Sequence, residues 1–396
     1  MRIISRMNVG GPARHVAILN GGLDPARYES LLVFGEEGLA EGTLRDIIDP
    51  GARTVSIPEL GREISPVADA VTLAKLVRLM RQTRPDIVHT HTAKAGFVGR
   101  VAARLCGVPV IVHTYHGHVF HGYFSPRKTN VFLKLERICA GFSNRLVTIS
   151  PRLRDEISQY GVADRSRIEV VPLGLRLGPH GAHPRRTGDF RRSLGISEDA
   201  LLIGAVGRLV PIKNLGLLLE AASRARARIP DLHVVFVGDG ELRSQLQEQA
   251  DALGLSDVVT FAGWQGDLPA VYADLDATVI SSHNEGTPAC LIEAMASGCP
   301  VIATSVGGVP DMIVSGVTGQ LTPPGDANAL ATAIVQLVNE PDQAQRMADQ
   351  ARGEALARYD EQRLIVDMER LYTELAREAG LPGTGGTGRE GKGARG

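Results

Sequence analysis

Short apolar runs alternate with stretches of helical periodicity along nearly the whole chain. Runs that are rich in Val and Ile and bounded by Gly, Pro or polar residues are typical of buried strands. In the N-terminal half, such runs predict strands at residues 1–7, 31–34, 54–57, 86–91, 108–115, 145–149 and 168–171. Helices are predicted between them, at residues 13–19, 68–84, 96–106, 126–142 and 151–160. Because strand and helix alternate, we expect a parallel sheet covered by helices on both faces.

The same alternation starts again after residues 174–190, a segment rich in Gly, Pro, His and Arg that we interpret as an interdomain linker. Beyond it, strands are predicted at residues 201–206, 233–237, 258–261, 277–280 and 300–303. Helices are predicted at residues 215–228, 241–253 and 327–339, and helical patterning continues over 341–379. A chain of 396 residues is too long for one ordinary core. We therefore predict two α/β domains.

The formal net charge is −1, but the charge is unevenly distributed. Residues 1–174 carry 23 Lys and Arg against 16 Asp and Glu, a balance of +7, whereas the remainder carries 20 against 28, a balance of −8. The basic excess lies in residues 71–174, and two interpretations of it stay open. It is either an ordinary solvated surface or a surface that meets an anionic acceptor or the inner face of an anionic membrane. Nucleic acid is not an expected partner.

Cysteine spacing and the lengths of the apolar runs predict a cytoplasmic protein. The four cysteines are widely spaced and form no C-x-x-C pair, so we expect reduced thiols rather than disulfides or a zinc site. No apolar run approaches the roughly 20 residues that a membrane span requires. The apolar part of the N-terminus is too short for a signal peptide.

The stretch H-N-E-G-T-P-A-C-L-I-E-A-M-A-S-G, at residues 283–298, carries the most informative chemistry. It follows a predicted buried strand, and Thr287 and Pro288 fit an N-cap and a first helical residue. A helix N-terminus attracts anions through its free N–H groups and its dipole. Glu285 and Glu293 flank this turn, and carboxylates accept hydrogen bonds from hydroxyl groups. These features predict a ligand with both phosphate and hydroxyl groups, such as a sugar nucleotide.

Two further motifs lie in the same half of the chain. G-R-L-x3-K-N, at Gly207–Asn214, places Arg208 and Lys213 after a buried strand, at an edge where open parallel sheets bind ligands. V-G-D-G-E spans Val237–Glu241. Together with the E-G-T-P-A-C-L-I-E-A-M-A-S-G run, these motifs resemble glycosyltransferase family 4, the large family of retaining, nucleotide-sugar-dependent enzymes.

This resemblance implies the GT-B fold, in which two Rossmann-like domains with parallel sheets face each other across a cleft. Residues 1–174 would form the N-terminal, acceptor-side domain, and residues 175–362 would form the C-terminal domain that binds the nucleotide sugar. The last helices, about 363–380, would return to the N-terminal domain. Residues 381–396 have low complexity and are expected to form a disordered tail.

By the same resemblance, Glu293 binds the ribose hydroxyls of the donor and Glu285 lies near the donor sugar. Arg208 and Lys213 hold the diphosphate, where fixed cations stabilise the charge that grows on the leaving group. The other donor-binding residues expected in this domain are Gly238, Gly286, Thr287, Pro288 and Ala289. Arg208, Lys213 and Glu285 are thus candidate catalytic residues.

The N-terminal domain is expected to contribute a glycine loop and a histidine. Gly10 and Gly11 follow the first strand and let backbone N–H groups approach the donor phosphate or the acceptor. His116 matches the family's cleft histidine, which contacts the donor sugar, and it is the fourth candidate catalytic residue. His118 is the alternative for this role. Lys94, which follows another strand, is a candidate contact of an anionic acceptor.

No metal ion or cofactor is expected, because the two cations can replace a divalent metal and the nucleotide sugar is a co-substrate. Asp274 and Asp276 match the D-x-D spacing that binds Mn²⁺ in a different glycosyltransferase fold, but they precede a buried strand and are interpreted as structural. The segment H-T-Y-H-G-H-V-F-H, at residues 113–121, contains four histidines. Their spacing is not a standard zinc ligand set.

The resemblance predicts transfer of a hexosyl unit from a nucleotide sugar, above all a UDP-sugar, to an acceptor hydroxyl with retention at the anomeric carbon. The acceptor is expected to be a saccharide or a lipid-linked molecule, in polysaccharide or glycolipid biosynthesis. Three alternatives remain: a UDP-sugar 2-epimerase of the same fold, a non-catalytic protein that binds sugar nucleotides, and a nicotinamide-dependent oxidoreductase. The last is disfavoured because the first loop lacks the third glycine of the dinucleotide fingerprint.

Overall fold

The apolar runs form two separate parallel sheets, one in each of two units of the chain. The computed structural model describes residues 1–8, 10–37, 42–61, 65–117 and 126–381. Unit 1 comprises Met1–Val171 together with the chain from Leu364 onward, and unit 2 comprises Pro172–Arg363. His118 and the predicted tail beyond Leu381 lie outside the described residues. Each unit is a Rossmann-like α/β domain, so the predicted fold class is confirmed.

Unit 1 contains a sheet of seven described strands, all parallel. These strands are β1 (Arg2–Ile4), β2 (Leu31–Phe34), β3 (Arg53–Ser56), β4 (Ile87–His91), β5 (Val110–Tyr115), β6 (Arg145–Thr148) and β7 (Ile168–Val170). Their order across the sheet is β3-β2-β1-β4-β5-β6-β7. The helices between them are α1 (Gly11–Gly22), α2 (Pro66–Thr83), α3 (Ala93–Leu105), α4 (Pro126–Gly141) and α5 (Pro151–Gln159).

The central strand β1 of unit 1 is buried on both faces because helices cover both faces of the sheet. Ile3 packs in a cluster with Leu76 of α2 and Val98 of α3. Its neighbour Ile4 points to the other face and packs in a cluster with Val16 of α1. The alternation of side chains along a strand thus produces one continuous apolar run instead of an alternating one.

Helices α2 and α5 of unit 1 each begin at a Ser-Pro pair that the sequence makes recognisable. The side chain of Ser65 accepts a hydrogen bond from the backbone N–H of Ala68 at the start of α2. Ser150 does the same for Leu153 at the start of α5. In both cases proline occupies the first helical position, where its missing N–H has no cost.

Unit 2 contains a parallel sheet of six described strands in the order β10-β9-β8-β11-β12-β13. These strands are β8 (Leu201–Val206), β9 (Leu232–Val237), β10 (Val259–Gly263), β11 (Ala277–Ile280), β12 (Val301–Thr304) and β13 (Gln320–Thr322). Its helices are α6 (Gly178–Ala182), α7 (Asp189–Ser193), α8 (Leu215–Arg226), α9 (Arg243–Ala252), α10 (Leu268–Asp274), α11 (Ala289–Ala296), α12 (Ala327–Asn339) and α13 (Pro341–Tyr359).

The last helix, α14 (Glu361–Glu378), starts in unit 2 and continues in unit 1. Its apolar face, including Leu364, Met368 and Leu375, packs in one cluster with Leu19 of α1 and Val112 of β5. This helix therefore completes the helical layer that covers one face of the sheet of unit 1. None of the helices in the described ranges is long and apolar enough to cross a membrane.

Several details differ from the sequence-based expectations, among them helix α10, which was not predicted. Residues 174–190, interpreted as a linker, contain α6 and the start of α7. β13 was not predicted, because its three residues include Gln and Thr and form no apolar run. Finally, α11 begins at Ala289 rather than Pro288: Pro288 is the N-cap, with an extended ψ of 118°, and Thr287 lies before the helix.

Replacing Leu375 with Ala should lower the free energy of unfolding by about 2–5 kcal/mol, because the truncation leaves a cavity between α14 and the sheet of unit 1. Leu375 is 0% exposed. Val366→Ala on the same helix is the matched control, since Val366 is 64% exposed and its truncation should change stability by less than about 0.5 kcal/mol. Urea unfolding measures both variants. Equal stability of the two would show that α14 does not belong to the core of unit 1.

Candidate active site

Two neighbouring strands of unit 2, β8 and β11, end side by side where the strand order reverses. The chain leaves β8 toward β9 on one side and leaves β11 toward β12 on the other. Ligands of open α/β sheets bind beyond the carboxyl ends of strands at such a point. The loop after β8 carries Arg208 and Lys213, and the loop after β11 carries Glu285. The strand order thus brings together three residues that the sequence predicts for one site.

Lys213 and Glu285 form an ion pair at this point. Lys213 Nζ lies 2.6 Å from Glu285 Oε1, and Ser282 Oγ donates to the same oxygen at 2.6 Å. The two charged side chains are only 23% and 11% exposed. Burial acts to lower the pKa of Lys213, but the neighbouring Cys290 and Glu285 outweigh it and raise this pKa above its ordinary value. The ammonium group is therefore a fixed positive charge at neutral pH.

Hydrogen bonds tie the loop after β8 to the loop after β11. Lys213 ends a short 3-10 helix, and Asn214 then adopts a left-handed conformation with φ 47°. Ser281 Oγ donates to the backbone oxygen of Lys213 at 3.1 Å. The backbone N–H of His283 donates to the oxygen of Ile212 at 2.9 Å. These bonds fix the loop that carries Lys213 relative to the loop that carries Glu285.

Glycines let the loops around the ion pair pack backbone against backbone. A Cβ on Gly308 would lie 2.0 Å from the oxygen of Gly286, and the N–H of Gly308 donates to the oxygen of Glu285 at 2.9 Å. A Cβ on Gly238 would lie 2.1 Å from the oxygen of Gly207. Any larger residue at these positions would displace the loops that carry Lys213 and Glu285.

Glu293, on α11, is buried and held in place from α10. Tyr272 OH donates to Glu293 Oε2 at 3.1 Å. Burial, and then the nearby Glu293 carboxylate, raise the pKa of Tyr272 well above its ordinary value, so the phenol keeps its proton. A carboxylate in such a position can accept hydrogen bonds from hydroxyl groups of a ligand.

The N-terminus of α11 and a small cavity complete the arrangement in unit 2. The structure shows no side-chain cap at Pro288, so the first-turn N–H groups, beginning at Ala289, have no side-chain acceptor there. Arg208 is exposed and lines a small cavity together with Lys213 and Cys290. Burial raises the pKa of the Cys290 thiol to about 11, so it is neutral at pH 7.

The two aspartates of the D-x-D sequence support the structure of unit 2. Asp274 accepts hydrogen bonds from the backbone N–H groups of Gly188 and Phe190, each at 2.8 Å. Asp276 is paired with Arg191, with 2.7 Å between Oδ2 and the guanidinium nitrogen. Both carboxylates therefore anchor the segment around α7 to the sheet.

In unit 1 the strand order reverses between β1 and β4, and histidines gather at this edge of the sheet. Gly10 is the N-cap of α1 and Gly11 is its first residue. His91 ends β4 and His116 follows β5, with 3.1 Å between His91 Nδ1 and His116 Nε2. The ring of His15, on α1, lies 5.0 Å from the ring of His116 between centroids.

A second layer of hydrogen bonds supports these rings. The ring of His89 lies 4.2 Å from that of His91 between centroids. His89 Nδ1 is 2.6 Å from Tyr372 OH of α14, and His89 Nε2 is 2.7 Å from Thr114 Oγ1. The helix that returns to unit 1 thus contacts the histidines through His89.

Burial keeps these imidazoles neutral. It lowers the pKa of His116 to about 3. It also lowers the pKa values of His89, His91 and His113 well below the ordinary range, and neighbouring arginine and histidine side chains lower them further. At pH 7 each ring therefore offers one nitrogen lone pair.

Thr92 and Lys94 lie next to these histidines. Thr92 has φ 66° and ψ 158°, a conformation that residues with a side chain rarely adopt and that costs about 1–3 kcal/mol. Ser5 Oγ lies 2.8 Å from Thr92 Oγ1 and helps to hold it. Lys94, the candidate acceptor contact, is paired with Asp69 at 2.7 Å.

Sequence reasoning missed the residues that support the predicted ones. Tyr272, Ser282 and Gly308 contact the glutamates or their loop, and His15 and His91 converge on His116. A signal existed for Gly308, since a Gly-Gly pair follows a predicted strand. It also existed for His91, which ends another strand. Tyr272 lies in the short helix α10, which was not predicted, and gives no such signal.

Comparisons with known proteins agree with this architecture. The model of "Glycosyl transferases group 1" matches residues 187–354, and that of "Glycosyl transferase 4-like domain" matches residues 10–174. The chain is 33% identical over 304 residues, 76% of this chain and 78% of the relative, to the UDP-Gal:alpha-D-GlcNAc-diphosphoundecaprenol alpha-1,3-galactosyltransferase of Escherichia coli. It is 33% identical over 287 residues, 68% of each chain, to the D-inositol 3-phosphate glycosyltransferase of Actinosynnema mirum.

Among solved structures, HepE of Anabaena in complex with UDP resembles this chain with a TM-score of 0.81 at 22% identity. The similarity covers 94% of this chain and 99% of HepE. At this level of identity, the likeness shows that the fold is shared.

Lowering the pH from about 6.5 towards 3 should destabilise the protein. The unfolded chain takes up protons on histidine below an ordinary pKa of 6.5, whereas folded His116 does so only near 3, so stability is lost as the pH falls through this window. Each such group contributes a slope of about 1.4 kcal/mol per pH unit. His116→Asn should reduce the slope, measured by urea unfolding at several pH values. Equal slopes in wild type and His116→Asn would contradict a lowered pKa of His116 in the folded protein.

Proposed function

Because the chain belongs to the group 1 glycosyltransferases, we propose that it transfers a hexosyl unit from a UDP-sugar to an acceptor hydroxyl with retention at the anomeric carbon. Glycosyl transfer from a nucleotide sugar is the activity of its family. The choice of a UDP-sugar is supported by the E. coli relative, whose name specifies UDP-Gal, and by HepE structures that contain UDP-glucose.

The ion pair between Lys213 and Glu285 is the observation that carries this proposal. A protonated lysine beside Arg208, at the carboxyl end of β8, is suited to a diphosphate whose negative charge grows as the glycosidic bond breaks. The N-terminus of α11 adds N–H donors nearby. In the proposed complex Glu293, held by Tyr272, accepts hydrogen bonds from the ribose hydroxyls. Contact of His116, in unit 1, with the donor sugar stays a prediction from the family resemblance.

Retention in this proposal proceeds without a covalent enzyme intermediate. Glu285 Oε1 accepts from both Lys213 and Ser282, which lowers the nucleophilicity of that oxygen. The acceptor hydroxyl instead attacks the anomeric carbon on the face from which UDP departs. The bond between the anomeric carbon and the diphosphate oxygen breaks, and that oxygen takes the acceptor proton. Arg208 and Lys213 stabilise the departing diphosphate, and no metal ion is required.

Replacing Lys213 with Gln should lower kcat/KM for the UDP-sugar by about 10²–10³-fold, because the variant lacks a charge that stabilises the leaving group. Arg226→Gln is the matched control: Arg226 pairs with Asp257 in the same unit and should leave kcat/KM unchanged. Initial rates of UDP release, with thermal unfolding as a check on folding, measure both variants. A Lys213→Gln enzyme with wild-type kcat/KM would refute the diphosphate role.

A UDP-sugar 2-epimerase is distinguished by an assay without acceptor. An epimerase converts the donor alone into a product epimerised at C2, whereas the proposed transferase consumes the donor at a substantial rate only with an acceptor. NMR of the anomeric proton in donor and product then tests retention. A product of inverted configuration would exclude the proposed stereochemistry, and a glycosyl adduct on Glu285 would exclude the mechanism without a covalent intermediate.

We further propose that the acceptor is lipid-linked and that unit 1 meets an anionic membrane at the cytoplasmic face. The E. coli relative is named for an acceptor on diphosphoundecaprenol. In α4, Val131 and Ile138 are 56% and 62% exposed, and the exposed Lys134 lies between them in sequence. Apolar and basic side chains on one helix face are typical of binding to anionic lipid surfaces.

Co-sedimentation with vesicles tests this contact. The protein should pellet with vesicles that contain anionic phospholipid and should be released by high salt, which screens the charges. Ile138→Glu should weaken binding, whereas Val338→Glu, at another exposed apolar position in unit 2, should not. Binding that is insensitive to Ile138→Glu would exclude α4 as the contact.

A further inference from the structure

Three histidines from three different elements converge at the carboxyl edge of the sheet in unit 1. His15 comes from α1, His91 ends β4 and His116 follows β5. One nitrogen of each ring lies within 4.8 Å of those of the other two. His15 and His91 are 0% exposed, and His116 is partly exposed. Two side chains of the cluster are therefore buried, and the third, His116, is partly accessible to solvent.

The distances suit a metal ion that binds imidazole. Tetrahedral Zn²⁺ with Zn–N bonds of about 2.0–2.1 Å separates its nitrogen ligands by roughly 3.4 Å. His91 Nδ1 and His116 Nε2 share a hydrogen bond of 3.1 Å, and after a small ring movement both nitrogens could bind one ion in place of that bond. Three protein ligands with a fourth position left open is the arrangement of many zinc sites that also bind a small ligand.

The surroundings fix the rings in this arrangement. The ring of His91 lies 4.2 Å from that of His89 between centroids, tilted by 35°, and His89 is itself held through both nitrogens by Tyr372 and Thr114. The other nitrogens of these two rings, His91 Nε2 and His116 Nδ1, are buried and have no hydrogen-bond partner in the part of the chain that the structure describes, so each can carry the ring proton when the facing nitrogen binds the ion. Neutral imidazoles provide the lone pairs that a metal ion needs.

We propose that His15, His91 and His116 form a binding site for a divalent transition metal of the Zn²⁺ or Co²⁺ type. The site differs from the histidine run at residues 113–121, because only His116 is common to both and the other two ligands come from α1 and β4. A bound ion would occupy the lone pair of His116 and so compete with any ligand that uses this ring. This competition presupposes the predicted contact of His116 with the donor sugar. Metal binding itself does not depend on that contact.

Titration of the metal-free, full-length protein with Co²⁺ tests the site independently of activity. Wild type should bind one ion per chain and develop the visible absorption of four-coordinate Co²⁺, and Zn²⁺ should displace it. His15→Gln should weaken binding by more than about tenfold, since loss of a ligand exceeds the loss of an outer-shell partner. His183→Gln and the double variant His118→Gln/His121→Gln should bind as wild type does.

His116→Gln, at the partly exposed position, is the second variant and should also weaken metal binding. It keeps the test decisive if His15→Gln fails to fold. Thermal unfolding without metal checks the folding of each protein. The proposal is overturned if wild type shows no saturable binding, or if folded His15→Gln and His116→Gln bind like wild type. It is also overturned if the double variant abolishes binding, because the ligands would then lie in the 113–121 run.

Discussion

The ion pair between Lys213 and Glu285 depends on the way in which parallel strands end. β8 and β11 are hydrogen-bonded neighbours, yet the chain leaves them in opposite directions, so the space beyond their carboxyl ends stays open to a ligand. Burial opposes the charge of a lysine there, and the carboxylate at 2.6 Å helps to offset that opposition. Strand order therefore places the ion pair, burial limits its contact with water, and the carboxylate keeps the lysine charged. The proposed chemistry depends on all three.

Backbone packing holds that feature in place. The loop that carries Glu285 lies against Gly308, and the loop after β8 lies against Gly238, at distances that no Cβ could occupy. Hydrogen bonds from Ser281 and Ser282 add connections between the two loops and to the carboxylate. Lys213 and Glu285 therefore have defined positions although they lie in loops, because backbone contacts fix those loops.

The two units use the same position at their strand ends for different chemistry. Unit 2 places charged groups and a helix N-terminus there, which suits an anionic ligand. Unit 1 places neutral, largely buried imidazoles there, which contact one another in tilted or edge-on pairs and are connected through His89 to α14. A neighbouring carboxylate decides this difference: burial acts on both side chains, but Lys213 has Glu285 beside it and remains charged, whereas the pKa of His116 falls to about 3.

The sequence by itself determined the α/β class and the position of most elements, because helix and strand have different periods and a strand buried on both faces must be a continuous apolar run. Its motifs also located Arg208, Lys213, Glu285 and Glu293. The short strand β13, with little apolar content, and the extended Pro288 escaped such reasoning. Only the tertiary structure decided which partner each residue has: Tyr272 for Glu293, Ser282 for Glu285, and His15 and His91 for His116. Contacts between residues far apart in sequence follow from strand order and helix placement, and local periodicity does not encode these.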